Sequence, residues 1–172
     1  MNTPDPIRYG GIKLAIDRIN DCNIQGAFAE VGVYRGDASK IIHMLAPGRS
    51  LLLLDTFEGF HNKDSGGRID NRFKDTTIDI VKEVIGNIDN VYIRKGYFPE
   101  TAAGLENERF AFVMLDVDLY APTLAGLEFF YPRMSPRGYI FIHDYADGWE
   151  AHRAVNDFMA DKREGIVYIP DT

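Results

Sequence analysis

Apolar positions along the chain fall into two alternating textures. Ala27–Val33, Leu51-Leu52-Leu53-Leu54 and Phe110–Leu115 are short runs, mostly apolar and flanked by turn-like residues. Such runs predict strands buried on both faces. Between them, apolar residues recur at helical spacing. Ile12, Leu14, Ala15, Ile16 and Ile19 predict a helix over residues 7–20, and Ile41, Ile42 and Leu45 one over Asp37–Leu45, stopped by Pro47-Gly48. Further along, the pattern predicts a helix at Thr77–Ile85, a strand at Val91–Arg94 and a short helical piece at Thr101–Leu105. Pro122 suits the first turn of a helix reaching Tyr131. A strand at Gly138–Ile142, an amphipathic helix over 149–162 and a last strand at Ile166–Ile169 complete the reading.

Apolar strands alternating with helices predict an α/β fold: one Rossmann-like, mostly parallel sheet with helices on both faces. The chain of 172 residues has no repeat, low-complexity tract or linker, so a single domain spans 1–172. Residues 57–75 change character, with Glu58-Gly59-Phe60 followed by Asn62, Lys63, Asp64, Ser65, Gly66 and Gly67. A polar, glycine-rich segment of that length in a compact domain is either an active-site lid or disordered. In such sheets ligands bind beyond the carboxyl ends of the strands. Here those ends carry Gly32–Gly36, Asp55, Gly96, Asp116 and His143-Asp144.

Composition narrows the partners. A net charge of −7 argues against nucleic acid and anionic membranes, and favours a small-molecule partner. The single cysteine, Cys22, excludes an internal disulfide. Pro4, Asp5 and Pro6 do not read as an apolar signal segment, and no apolar run approaches membrane-spanning length, so a cytoplasmic protein is expected.

The chemistry gathers at the strand ends. Glu30-x-Gly32-x-x-x-Gly36 places a glycine turn between a strand and a helix start. Asp55 follows Gly36 by nineteen residues, where an acid can accept both hydroxyls of a ribose. The alternative is a strand-end carboxylate capping the next turn. The spacing is not the Gly-x-Gly-x-x-Gly of dinucleotide sites, and no Gly-Lys-Ser/Thr is present. A cofactor with a ribose and no phosphate, S-adenosylmethionine, fits best. Asp116-Val117-Asp118 and His143-Asp144 end two strands expected to be neighbours. Carboxylates so placed repel unless a cation joins them, and Mg²⁺ bound there would lower the pKa of a substrate hydroxyl. Equally, Asp118 can cap the helix that follows and His143 can bond to backbone. His43, His61, Trp149, His152, Tyr120 and Tyr145 are weaker candidates, with packing or surface roles as the simpler account.

Five blocks carry a resemblance: Glu30-Val31-Gly32-Val33-Tyr34-Arg35-Gly36, Leu54-Asp55-Thr56-Phe57-Glu58-Gly59-Phe60, Gly96-Tyr97-Phe98-Pro99-Glu100-Thr101, Asp116-Val117-Asp118-Leu119-Tyr120 and His143-Asp144-Tyr145. In this order they resemble the macrocin O-methyltransferase (TylF-type) family of class I methyltransferases. The resemblance covers about residues 27–160. It implies methyl transfer from S-adenosylmethionine to a hydroxyl of a sugar-like small molecule, usually with Mg²⁺ and in a homo-oligomer. By the same resemblance Glu30, Gly32, Tyr34 and Gly36, with Ser39, hold the methionine part of the cofactor. Asp55 and Thr56 fall at the ribose, and Gly96, Tyr97 and Phe98 near the adenine. Asp116 matches a metal ligand and base, and Asp144 a second metal ligand. The family carries two consecutive aspartates where this chain has His143-Asp144. The ion is then held by fewer groups, or is a different ion, or His143 acts as general base. The sheet's closing antiparallel pair is also shortened here. Two other functions fit parts of the pattern: a glycosyltransferase using Asp-x-Asp for a metal and nucleotide sugar, and a protein that binds S-adenosylmethionine without chemistry.

Overall fold

A computed structural model describes residues 5–64 and 70–169. Five strands form one sheet: β1 (Ala27–Val31), β2 (Leu51–Asp55), β3 (Val91–Lys95), β4 (Phe110–Leu115) and β5 (Met134–Ile142). Their order is β3-β2-β1-β4-β5, and every pairing is parallel. Five helices accompany them: α1 (Pro6–Asp21), α2 (Asp37–Leu45), α3 (Ile78–Ile85), α4 (Tyr120–Phe130) and α5 (Glu150–Met159). The strand order reverses between β1 and β4, which makes their carboxyl ends the switch point of the sheet.

Alternation along the strands divides the core into two layers. Phe28, Leu51, Leu53, Phe112 and Met114 pack with Ile12, Ile16 and Ile19 of α1, Ile42 of α2, and Val81 and Ile85 of α3. On the other face Ala29, Val31, Leu52, Leu54, Val113 and Leu115 meet Leu127 and Phe130 of α4 and Val155 of α5. The run Leu51–Leu54 is therefore apolar throughout because its alternate side chains enter different cores, each burial contributing about 1.5–3 kcal/mol. The alternation breaks at Ala111 and Phe112, which both face the α1–α3 side, where the pairing register shifts between Phe110 and Phe112.

Local signals set the helix ends. Asp5 caps α1, its Oδ1 accepting from the amides of Ile7 and Arg8 at 3.1 and 2.8 Å, with Pro6 in the first turn. Thr77 caps α3 through the amide of Ile80. The fragment at Thr101–Leu105 is a 3-10 turn over Glu100–Ala102.

Three expectations are corrected. The first strand stops at Val31, because Gly32 turns out of extended geometry at φ +84°. The fifth begins at Met134 rather than Gly138, since Met134 pairs with Phe110 before the register shift. No strand forms at Ile166–Ile169. That stretch makes side-chain contacts instead: Ile169 and Phe141 press on Gly11, and Tyr168 packs against Tyr145 with ring centroids 4.9 Å apart. Val167 is left 85% exposed. No helix among the described residues is long and apolar enough to cross a membrane.

Candidate active site

A cavity of about 430 Å³ opens above the carboxyl ends of the strands. Its floor is the switch point itself. A Cβ on Gly32 would lie 1.8 Å from the carbonyl oxygen of Asp116, so only glycine lets the ends of β1 and β4 approach this closely. Beyond the strands the chain repeatedly adopts left-handed backbone with ordinary side chains: Tyr34 after β1, Phe57 after β2, Asp118 after β4 and Asp144 after β5, with φ of 51–57°. Each of these residues except Phe57 lines the cavity directly.

On the β1–β2 side, carboxylates are satisfied by local donors. Glu30 is buried and accepts from the Ser39 hydroxyl of α2. Burial pushes its carboxyl up to about 8, against the lowering effect of Ser39. Asp55 accepts three backbone N–H groups, from Val33 at 2.6 Å, Tyr34 at 2.9 Å and Phe57 at 2.6 Å. It thus clamps the turns after β1 and β2 together. The turn-capping alternative describes what Asp55 does here, although Asp55 also lines the cavity.

On the β4–β5 side, charges face one another. Asp116 Oδ2 accepts from Arg8 Nη2 of α1 at 2.6 Å, while His143 Nδ1 lies 3.1 Å from Asp116 Oδ1 and 2.9 Å from Asp144 Oδ2. Burial alone would raise the Asp116 carboxyl, but His143 and Arg8 outweigh it and hold it below the ordinary carboxylate range. The Asp116 and Asp144 carboxylates push the His143 imidazole up to about 10. Asp118 makes no hydrogen bond or ion pair among the described residues and does not cap α4, whose N-cap is Leu119. Burial, then the neighbouring Asp144 and Asp116, push its carboxyl up to about 6.

Asp116, His143 and Asp144 offer ligand atoms within 4.8 Å of one another. The two carboxylates, on adjacent strand ends, fit a hard divalent cation with waters completing its shell, whereas His143 would ligate only after losing the proton they hold on it.

Of the 57–75 segment, Gly59, Phe60, His61, Asp64 and Phe73 line the outer wall of the cavity, and residues 65–69, including Ser65, Gly66 and Gly67, lie outside the described residues. Phe60, Phe73 and Tyr34 pack edge to face, with centroids 5.2–5.4 Å apart. Asp75 ties this wall to the first turn through Tyr34 Oη and Arg35. His61 packs on Tyr97 at 4.4 Å, and Tyr97 Oη donates to Asp64 at 2.7 Å.

Of the residues singled out from sequence, Glu30, Gly32, Tyr34, Asp55, Thr56, Gly96, Tyr97, Phe98, Asp116, His143 and Asp144 line this one cavity. Gly36 and Ser39 do not. Gly36 starts α2 at φ +85° against Val81, and Ser39 acts through Glu30. Tyr120 and Tyr145 bond to Asp157 and Asn156, and Trp149 is half exposed, all outside the lining. His43 is buried in α2. Sequence reading missed Arg8 and Tyr9. They lie over a hundred residues from Asp116 in the chain, and nothing in Ile7-Arg8-Tyr9 marks them as more than a helix start.

Comparison with known proteins agrees with this architecture. The O-methyltransferase NovP superposes with a TM-score of 0.82 at 23% identity, over 95% of this chain and 76% of that one. A tetracenomycin-C rhamnosyl 4'-O-methyltransferase of Streptomyces olivaceus is 27% identical over 158 residues, or 81% of this chain. Demethyldecarbamoylnovobiocin O-methyltransferase of Streptomyces niveus is 23% identical over 171 residues, or 89% of this chain. The chain spans 60% and 65% of the lengths of these two curated relatives. The family description Macrocin-O-methyltransferase (TylF) matches residues 7–166. Nearly the whole chain, cavity and both core layers included, therefore falls within one family: this protein belongs to the macrocin O-methyltransferase (TylF) family.

Proposed function

We propose that the chain transfers a methyl group from S-adenosylmethionine to a hydroxyl of a sugar-like small molecule, working in the cytoplasm. The observation that carries this reading is the division of one cavity into two chemical halves. Glu30, Tyr34, Asp55, Thr56, Gly96, Tyr97 and Phe98 supply a polar and aromatic half suited to an adenosyl amino acid, and Asp116, Asp118, His143 and Asp144 an acidic half suited to a hydroxyl. The net charge of −7 favours a small acceptor over nucleic acid. Family membership leaves the nucleotide-sugar transferase reading without support.

Asp116 and Asp144 would hold a divalent cation such as Mg²⁺. When bound, such an ion supplies positive charge that lowers the pKa of a neighbouring hydroxyl. Asp118 is the better base than Asp116 or His143. Both oxygens of Asp116 already face cations, and His143 keeps its proton at neutral pH. Asp118 bonds to no cation among the described residues, the charges of Arg72 and His143 acting on it only as smaller, lowering influences, and it is ionised above about pH 6. Its carboxylate takes the hydroxyl proton as the acceptor oxygen bonds to the methyl carbon and the carbon–sulfur bond breaks. The 57–75 segment acts as the lid, excluding water so that the reaction needs mainly alignment.

The test is calorimetric titration with S-adenosylhomocysteine, followed by mass-spectrometric detection of methyl transfer to a panel of glycosides. Micromolar binding with a mass gain of one methyl group on a sugar is expected. Absence of binding sinks the reading, and binding without transfer to any hydroxyl returns the chain to a non-catalytic role.

A further inference from the structure

We propose that Arg8, from the first helix, is the binding residue for the carboxylate at the amino-acid end of the methyl donor. This rests on the methyl-donor reading above. An adenosyl amino acid brings a carboxylate into a cavity whose floor is acidic, so it needs donors of its own. The turn after β1 has few left. The amides of Val33 and Tyr34 donate to Asp55, that of Gly32 to the Leu54 carbonyl and that of Gly36 to the Val33 carbonyl. The first turn of α2 carries the carboxylate of Asp37, which opposes a second anion there.

The other basic side chains lining the cavity are engaged. Arg35 is tied to Asp75, His61 packs on Tyr97, and His143 lies between Asp116 and Asp144. Arg8 is different. One arm, Nη2, reaches Asp116, while its Nε–H is buried with no hydrogen-bond partner among the described residues. A buried, unpaired guanidinium N–H is costly, and a ligand carboxylate would satisfy it with a charge-assisted bond. Arg8 is placed to do this because its helix packs against α2 and β5, and its charge already bears on Glu30 at the end of β1.

The experiment compares two ligands that differ only at that end: S-adenosylhomocysteine and 5′-methylthioadenosine, which keeps the nucleoside thioether and lacks the amino acid. Both are titrated calorimetrically into wild type, Arg8→Met, Arg8→Lys and Asp116→Asn. Arg8→Met should weaken S-adenosylhomocysteine about 10- to 100-fold and leave methylthioadenosine unchanged, with Arg8→Lys between. Asp116→Asn should keep the wild-type preference for the longer ligand. Equal weakening of both ligands in Arg8→Met, or the same loss of preference in Asp116→Asn, would make Arg8 a support for Asp116 and overturn the assignment. Unchanged binding of both in Arg8→Met overturns it in favour of the α2 amides. Failure of wild type to bind either nucleoside is a separate result, and it removes the methyl-donor reading itself.

Discussion

Asp55 ends the buried strand β2, Asp118 follows the buried strand β4 by three residues, and both line the same cavity. Their surroundings differ completely. Asp55 is enclosed by three backbone N–H groups and holds two turns in place. Among the described residues Asp118 has no bonded partner, and the charges of Asp144 and Asp116 outweigh those of Arg72 and His143 upon it. A carboxylate becomes structural where the backbone brings amides to it, and reactive where the backbone withholds them. The residue type and the strand-end position do not decide between the two.

The largest effect should come from the unpartnered member. Asp118→Asn should cost 10²- to 10⁴-fold in methyl transfer, the usual contribution of a general base, measured as kcat with a competent glycoside. In the metal-free wild type the Asp118 carboxylate forms as pH rises through about 6, and a cation bound at Asp116 and Asp144 should move the rise in rate to lower pH. A full rate in Asp118→Asn would return the base role to Asp116.

Next comes stability. Asp55→Ala strands three amides and should lower the unfolding free energy by about 3 kcal/mol in urea denaturation. Asp118→Ala should stay within about 0.5 kcal/mol of wild type, or gain slightly from relieved repulsion. Equal losses in the two variants would erase the distinction.

Glu30 sharpens the comparison from another side, as a carboxyl held neutral by burial. Its folded pKa, about 8, lies above the ordinary 4.5, so the native state binds the extra proton between those values. Its stabilising contribution is complete below about pH 4.5 and is lost as pH rises through 8, with a limiting slope of about 1.4 kcal/mol per pH unit. Glu30→Gln should flatten that part of the thermal-stability profile between pH 5.5 and 8.5. Parallel profiles for the two proteins would mean that Glu30 titrates normally.

These contrasts mark where the sequence is readable. Leu51–Leu54 and Phe110–Leu115 announce two-sided burial, and Pro47-Gly48 announces a helix end, because each signal is local. Met134–Gly138 carries the turn residues Pro136 and Gly138, yet Met134 enters the sheet by pairing with a strand more than twenty residues away. Ile166–Ile169 has the composition of a strand and no backbone partner among the described residues. Convergence of the strand ends on one cavity follows from topology, which alternating patterns reveal. The division of labour between Asp55 and Asp118 follows from amide directions a few residues away. Arg8 reaches the site only because α1 folds back across β5, which no motif encodes.

Tyr34, Phe57, Asp118 and Asp144 share one further property, their left-handed backbone. For a side-chain-bearing residue that conformation costs about 1 kcal/mol or more, and asparagine or glycine tolerates it best. The four positions therefore have a narrow substitution range that has nothing to do with chemistry: β-branched residues will be excluded from each before any acceptor is offered. Diversification aimed at a new acceptor gains more from Val117, Pro122 and Phe60, cavity neighbours whose φ angles fall outside that region. The rim of the site is thus conformationally conservative, while the side chains beside it are open to evolutionary change.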